Sequence, residues 1–258
     1  MEKDHWNPEQ YEEFKNERSQ PFFDLLALVK PKPDMRVIDL GCGTGELTQV
    51  LHRHLNAAET IGLDSSKAML SDSHFFEGTG LHFTHKNISD FDETHVYDLI
   101  FSNAALQWCP DHKSLFETLR KGLRPGGQFA VQMPSNYDHP AYTIARELAG
   151  EAPFKAALKG GSKGIRILRS PEYSEIFYEL GYKEQHVRIQ VYPHILKSKE
   201  SVIEWVKGTM LTFYESRLPK EIYSEFFVEY KKRVLAELKD SRPFFYPFKR
   251  ILLWARAN

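Results

Sequence analysis

The sequence predicts an α/β fold: a mostly parallel, doubly wound sheet of seven strands with an antiparallel last hairpin and a helical cap. Short apolar runs alternate with helical patterns over the first half of the chain, as parallel strands and crossover helices do. Three glycines, at residues 41, 43 and 45, follow the first run, where such a strand turns into a helix. Residues 186–192 alternate apolar and polar side chains, which is typical of an antiparallel strand. These patterns are those of a Rossmann-like fold.

The elements follow one another in a regular order. Residues 1–30 predict helical structure that Pro31 terminates. Helices are also predicted at residues 46–55, after residue 64 with Ser65 or Ser66 as N-cap, and from Asp111 to residue 119. The five parallel strands are predicted at or around residues 35–40, 60–64, 81–85, 98–101 and 128–133.

After Met133 the pattern changes. Residues 137–180 predict mostly helix, and residues 199–239 contain two long helical patterns separated at Pro219. Residues 248–255 predict the last strand, and the late helices are expected to cap the carboxyl edge of the sheet. The predicted organisation is an N-terminal helical lid at 1–30, a cofactor-binding core at 31–136, and a remainder at 137–258 that completes the sheet and carries the cap.

The charge balance argues against a polynucleotide substrate. The chain has 258 residues, of which 34 are basic and 35 acidic, whereas nucleic-acid enzymes usually show a basic excess. Two cysteines, Cys42 and Cys109, are too few for a disulfide framework or a zinc site, so no metal is expected. No signal peptide or membrane-spanning segment is predicted. We therefore expect a cytoplasmic monomer that binds neither nucleic acid nor membrane.

The glycine turn gives the first functional signal. Gly41, Gly43 and Gly45 let backbone approach a ligand closely, and the helix that follows offers free N–H groups to an anion. A dinucleotide fingerprint needs glycine at the sixth place, where this chain has Glu46. Asp39 would repel a pyrophosphate but suits an ammonium group. The combination favours S-adenosylmethionine, which carries both an ammonium and a carboxylate.

Two later strand ends extend this site. Asp64 closes the second strand about 20 residues beyond the turn, where a carboxylate accepts hydrogen bonds from both ribose hydroxyls. After the third strand, Asn87 is placed to bond the exocyclic amine of adenine and Ile88 to pack on the ring. For Asp64 taken alone, the alternative interpretation is an acidic residue at the start of a helix. The glycine turn and Asn87 lie at matching ends of neighbouring strands, and they favour a cofactor-binding role for Asp64.

These residues resemble class I methyltransferases, whose first motif is an acidic residue two places before a Gly-x-Gly-x-Gly turn. Nearly the whole chain is similar to the trans-aconitate 2-methyltransferase family, through Trp6-Asn7-Pro8, Ile61-Gly62-x-Asp64, Asn103-Ala104-x-Leu106-Gln107-Trp108, Pro110-Asp111-His112 and Val131-Gln132-Met133-Pro134. The Gln107-Trp108 pair also resembles malonyl-carrier-protein methyltransferases, and juvenile hormone acid methyltransferases have a related pair there. Residues 150–170 match poorly.

The resemblance implies carboxyl O-methylation of a small or carrier-bound organic acid, with S-adenosyl-L-homocysteine as product. Gln107, Trp108 and Arg18 are the catalytic candidates it implies. Tyr11 and Arg18 lie on a segment that the family folds over the cofactor. The predicted cofactor-binding residues are Tyr11, Asp39, Gly41, Cys42, Gly43, Gly45, Asp64, Ser65, Met69, Asn87, Ile88, Asn103 and Ala104.

A carboxylate acceptor needs no general base, because its pKa of about 4 leaves it ionised at neutral pH. The enzyme has to align the reacting atoms and exclude water. Gln107 and Trp108 are predicted to donate hydrogen bonds to the carboxylate, and Arg18 to bind a carboxylate bidentately. A packing role for Trp108 and a surface salt bridge for Arg18 are the alternatives.

Other candidates lie in the cap. His194 and Trp205 are candidate substrate-binding residues, with packing as the alternative. The stretch 152–171 contains five basic residues and no acid, and either attracts an acidic substrate or carrier or is a solvated loop. Methylation of a phenol, amine or thiol, which usually requires a base, and a catalytically inactive S-adenosylmethionine-binding partner protein are the alternative functions.

Overall fold

The computed structural model describes residues 15–159 and 167–258, with only the backbone at residues 15–18. Its strands are β1 Arg36–Leu40, β2 Glu59–Asp64, β3 Leu81–His85, β4 Tyr97–Asn103, β5 Leu123–Pro134, β6 Glu184–Leu196 and β7 Phe244–Arg256. They form one sheet in the order β3-β2-β1-β4-β5-β7-β6. Six strands share a direction, and β7 runs antiparallel to β5 and β6. The predicted sheet and its last antiparallel hairpin are confirmed.

Helices lie between the strands and beyond the sheet. They are α1 Lys15–Leu26, α2 Glu46–Leu55, α3 His112–Gly122, α4 Pro140–Ala149, α5 Phe154–Ala157, α6 Ser170–Glu179, α7 Glu200–Lys207, α8 Met210–Glu215 and α9 Lys220–Glu237. Asp111 caps α3 as predicted, since its carboxylate accepts a hydrogen bond from the Ser114 amide.

Two helical predictions are wrong. Within the described residues 65–80, no α-helix capped by Ser65 or Ser66 follows β2; the chain forms turns and a 3₁₀ turn, Ser73–Phe76. The hydroxyls of Ser71 and Ser73 donate to backbone carbonyls at 3.0 and 2.9 Å, in competition with helical bonding. The first long helix of the cap is split into α7 and α8, because Thr209 has a non-helical φ of −136°.

Hydrophobic clusters lie on both faces of the sheet, which explains why the central strands are mostly apolar. The first six residues of β4 are buried. A third cluster joins α4, α5 and α7–α9 to the start of β7. Because Pro134, the last residue of β5, pairs with Arg250, the start of β7 projects beyond that strand end. The helices packed on this projection therefore lie beyond the carboxyl edge.

The helices of the described residues include none that is both long enough and apolar enough to cross a membrane.

Candidate functional site

The site lies where the strand order reverses. β1 pairs with β2 on one side and with β4 on the other, all three parallel. In open α/β sheets a ligand crevice forms beyond the carboxyl ends of the strands at this switch point. Residues that follow β1, β2 and β4 therefore meet at one edge.

The glycine turn packs closely against its surroundings. The amides of Gly41 and Cys42 donate to the Leu63 carbonyl at 2.7 and 3.0 Å, which fixes the turn to β2. Gly41 has φ +77°, and a Cβ there would lie 2.1 Å from the Cβ of Ala105. Only glycine fits, and the turn presents bare backbone to the crevice.

Asp64 is tied to the turn by both carboxylate oxygens. Its Oδ2 accepts a hydrogen bond from the Gly43 amide at 2.9 Å, and its Oδ1 accepts one from the Ser66 amide at 2.8 Å. A carboxylate offers about four lone-pair sites. These two bonds orient the carboxylate at the edge of the crevice, where the sequence predicts that it binds a ribose.

Asp39, the penultimate residue of β1, is buried beneath the turn. Its Oδ2 accepts a hydrogen bond from the Thr48 hydroxyl at 2.6 Å. Burial raises the pKa of Asp39 to about 7; the Thr48 bond opposes the shift, and the charge of Asp64 adds to it. The carboxylate is thus only partly ionised at neutral pH, and a cation bound nearby would favour its charged form.

We expect the affinity for S-adenosyl-L-homocysteine, the product form of the predicted cofactor, to depend on pH through Asp39. Below pH 7 the carboxylate is protonated, so affinity should rise by up to about tenfold per pH unit toward neutrality. It should fall again in the more alkaline range, where the ligand's own α-amino group loses its proton. Calorimetric Kd values across this range test the prediction. Asp39→Asn should flatten the acidic limb only; an unchanged limb would show that Asp39 does not contact the ammonium.

The remaining predicted cofactor residues surround the same crevice. Met69 lies over the turn, its methyl 3.2 Å from where a Cβ on Gly43 would stand, and the Ser65 carbonyl lies 3.0 Å from Nε2 of His85. Asn87 is exposed after β3, with its Oδ1 accepting a bond from the Ser89 amide, and Ile88 is partly buried. Burial raises the pKa of the Cys42 thiol, so Cys42 is no nucleophile.

Beyond β4, the chain makes a strained turn that lies between the predicted cofactor residues and a neighbouring cavity. Ala104 has φ +57°, its amide donates to the Gln132 carbonyl at 2.9 Å, and its carbonyl accepts from Nε2 of Gln107 at 2.7 Å. The predicted donor Gln107 therefore holds the turn. Among the described residues, the buried Oδ1 of Asn103 has no hydrogen-bond partner, which makes it an acceptor suited to an ammonium group.

A cavity opens directly beside this turn, with about 760 Å³ of empty space when its open mouth is counted. Trp108 stands at its wall with 37% of its surface exposed. The other described lining residues are Asn103, Ala104, Gln107, Pro134, Asn136, Tyr137, Tyr142, Trp205, Thr209, Met210, Phe248 and Arg250. The wall thus combines the ends of β4 and β5 with residues of the late helices.

Sequence reasoning missed Arg250. This residue is 5% exposed, and its Nη1 donates to Oε1 of Gln132 at 3.4 Å. Its guanidinium carbon lies 4.9 Å from the ring centre of Phe248. The sequence does contain one signal, a basic residue directly before the apolar run Ile251-Leu252-Leu253-Trp254. A charged side chain in a buried strand destabilises the fold unless it has a binding partner, so such a residue is a candidate for a functional site.

The other candidates are placed less directly. Trp205 lines the cavity, and His194 is buried behind it with ring centres 4.8 Å apart, so His194 packs in the wall. Of the basic stretch, Lys155, Lys159 and Arg169 are described, and Arg169 forms an ion pair with Glu172. Tyr11 and the side chain of Arg18 lie outside the described residues.

Comparisons with known proteins agree with this geometry. The profile of a family described as "Methyltransferase domain" matches residues 31–180. A trans-aconitate 2-methyltransferase of Deinococcus radiodurans is 39% identical over 97% of both chains, and one of Methylobacterium nodulans is 37% identical over 98% of both. The YcgJ protein of Bacillus subtilis has a similar fold, with a TM-score of 0.62 and 16% identity over 93% of this chain and 98% of that one.

Proposed function

We propose that this chain, which belongs to the trans-aconitate 2-methyltransferase family of S-adenosylmethionine-dependent enzymes, methylates a carboxylate oxygen of a small organic acid. The observation that carries the proposal is the placement of Trp108 and Arg250 in one cavity that begins at Asn103 and Ala104. An indole N–H and a guanidinium are donors that suit an anionic acceptor. Since both relatives are trans-aconitate 2-methyltransferases, trans-aconitate is the first acid to test.

The cofactor fits the residues present. Gly41 leaves room where any Cβ would collide, Asp64 presents an oriented carboxylate, and Asn103 has a buried acceptor that the described residues leave unused. Asp64 would hold the ribose, while Asp39 and Asn103 would hold the ammonium. When bound, S-adenosylmethionine supplies an electrophilic methyl group.

The cavity wall is consistent with an acceptor that is already ionised. Among the described lining residues, none is Asp, Glu, His, Lys or Cys. Tyr137 donates its hydroxyl to the Pro134 carbonyl at 2.8 Å, and burial raises its pKa, so it keeps its proton. A phenol, amine or thiol would usually need a base in this position, whereas a carboxylate with a pKa of about 4 does not.

The protein's contribution is then positioning and exclusion of water. Trp108 would orient the reacting carboxylate, and Gln107 fixes the turn beside it. Holding two reactants in line contributes about 7 to 11 kcal/mol in favourable cases. Trp205, Thr209 and Met210 bring the cap over the cavity, where they shield the carboxylate from the water that would weaken its nucleophilicity.

Labelled methyl transfer to a panel of acceptors tests the proposal. The panel contains trans-aconitate and other di- and tricarboxylates, fatty acids, malonyl-carrier protein, and an amine and a phenol. Base-labile product on a free acid is expected, because carboxyl methyl esters hydrolyse in base. Base-stable product on the amine or phenol alone would overturn the proposal.

Trp108→Phe is expected to lower kcat/KM for the accepted acid by about 10- to 100-fold, because it keeps an aromatic ring but removes a hydrogen bond to a charged group. Affinity for S-adenosylhomocysteine should stay within about twofold of wild type. Trp254→Phe is the matched control: it removes an indole N–H that donates to Gln128 at 3.0 Å, outside the cavity. Equal turnover in both variants would show that Trp108 does not bind the acid.

We also propose the finer organisation that the sequence predicts. The division into a lid at 1–30, a core at 31–136 and a capped remainder at 137–258 is supported by the separate hydrophobic cluster of the late helices. A cytoplasmic location is supported by two cysteines, Cys42 and Cys109, that form no disulfide. The monomeric state and a free rather than carrier-bound acid are predictions that gel filtration and the acceptor panel test.

A further inference from the structure

We infer that His112 is a positioning residue for methyl transfer, because its ring holds the turn that carries Trp108. Tyr173 holds that ring in the one neutral form that can do so. His112 is the first residue of α3 and directly follows the cap residue Asp111. The inference rests on the proposed function and adds a residue that acts through the turn beside the cavity.

The turn that carries Trp108 is a single 3₁₀ turn, Leu106–Trp108. Trp108 is 37% exposed at the cavity wall, whereas its neighbours Leu106 and Gln107 are buried and anchor the turn. The Leu106 carbonyl accepts a hydrogen bond from the Cys109 amide at 3.0 Å, and Nε2 of His112 lies 2.8 Å from the same oxygen. His112 therefore reaches back along the chain and ties the turn to the start of α3.

The two partners of the His112 ring fix its hydrogen-bond roles. A carbonyl oxygen only accepts, so Nε2 must carry the proton that it donates to Leu106. In the neutral ring Nδ1 is then an acceptor, and the Tyr173 hydroxyl, 2.5 Å away, donates to it. The Tyr173 oxygen accepts a bond from the Leu168 amide at 3.2 Å. Each donor in this chain of bonds has an acceptor, and the chain defines one tautomer of His112.

Burial keeps both groups in these forms. His112 is 3% exposed and Tyr173 is fully buried. Burial lowers the pKa of His112 and raises the pKa of Tyr173, so the ring stays neutral and the phenol keeps the proton that it donates. Phe116 stacks on the His112 ring with 7° between the planes and on the Tyr173 ring with 25°. The ring is thus fixed in orientation as well as in tautomer.

The position of this turn matters because alignment is the protein's main contribution to the proposed reaction. A displacement of about 1 Å can lower a rate about 100-fold. Loss of the His112 bond would free the turn to shift, while the indole N–H of Trp108 would remain available to the carboxylate. The interaction lost is then the alignment reached in the transition state, and the loss should appear mainly in kcat.

His112→Asn and His112→Gln test the bond to Leu106. The amide nitrogen of glutamine can take the place of Nε2, whereas the shorter asparagine side chain does not extend to it. We expect His112→Asn to lower kcat for the accepted acid by about 30-fold, with KM and the Kd of S-adenosylhomocysteine within about threefold of wild type. His112→Gln should recover kcat to within about fivefold of wild type. Equal losses in the two variants, or a loss confined to KM, would overturn the inference.

Tyr173→Phe keeps the buried ring and removes the donor to Nδ1, so it should lower kcat by about 3- to 10-fold. Tyr230→Phe is the matched control, since Tyr230 is also fully buried and donates its hydroxyl to the Ala141 carbonyl at 2.9 Å, outside the cavity lining. Both variants should lower the unfolding temperature, but Tyr230→Phe should keep its kcat. Adding Tyr173→Phe to His112→Asn should cause no further loss, because both act through one chain of bonds. Equal kcat in the two Phe variants, or additive losses, would overturn the role of Tyr173.

A measurement without turnover separates this inference from the proposed function. The indole N–H signal of Trp108 in a ¹H–¹⁵N NMR spectrum, assigned with Trp108→Phe, should shift in His112→Asn and Tyr173→Phe but not in Tyr230→Phe. An unchanged signal in His112→Asn would overturn the inference while leaving carboxyl methylation intact. Wild type that methylates no acid would instead overturn the proposed function, and the indole signal would still decide whether His112 positions the turn.

Discussion

Replacing Gly41 with alanine is expected to lower the affinity for S-adenosylmethionine by about 100-fold or more. The new Cβ would lie 2.1 Å from the Cβ of Ala105, and neither atom belongs to a flexible side chain that could move aside. Either the glycine turn must shift, or the loop that leads to Gln107 and Trp108 must. The substitution also places a side chain at φ +77°, which costs about 1 to 2 kcal/mol by itself.

Gly126→Ala separates the collision from the backbone strain. Gly126 has φ +71°, similar to Gly41, but apart from its own chain neighbours no atom of the described residues lies within 4 Å of where a Cβ would stand. It should lose about 1 kcal/mol of unfolding free energy and keep its cofactor affinity. Calorimetry and thermal unfolding of both variants provide the comparison. If Gly41→Ala binds the cofactor as well as Gly126→Ala does, close packing between the turn and Ala105 is not required for cofactor binding.

The placement of the candidate cofactor residues at one edge of the sheet was predictable because it follows from local rules. A parallel strand places its last residues at the ligand edge, so Asp39, the glycine turn and Asp64 could be assigned from their positions after two apolar runs. The structure adds the direct hydrogen bond from the Gly43 amide to Asp64. It also shows that the side chain of Asn103 offers a buried acceptor.

The acceptor half was less predictable because its wall is assembled from distant parts of the chain. Asn103 and Arg250 line one cavity although 147 positions separate them (250 − 103). The hydrophobic pattern of a sequence predicts local elements and does not indicate which distant residues come together. Gln107 shows the same limit: its place after β4 was predicted, but its bond to the Ala104 carbonyl depends on the positive φ of that residue. Serine side chains likewise overrode the helix expected after β2.

Asp64→Asn should lower cofactor affinity by about 100-fold, because it weakens two hydrogen bonds to a charged acceptor, each of which contributes about 1.5 to 3 kcal/mol. An amide has one oxygen, whereas the Gly43 and Ser66 amides donate to two different oxygens of Asp64. In the variant, one of these N–H groups would face the amide nitrogen. Asp90→Asn removes a charge just after β3, near the same sheet edge, and should leave affinity unchanged.

Binding of S-adenosylhomocysteine and its 2′-deoxy analogue shows whether Asp64 acts through the ribose. If it does, Asp64→Asn should penalise the complete nucleoside more than the analogue; equal losses would mean that Asp64 only braces the turn. The pH dependence gives an independent readout. Because the charge of Asp64 raises the pKa of Asp39, its removal should lower that pKa and move the acidic limb of binding to lower pH. A limb that stays in place would show that the two carboxylates are not coupled.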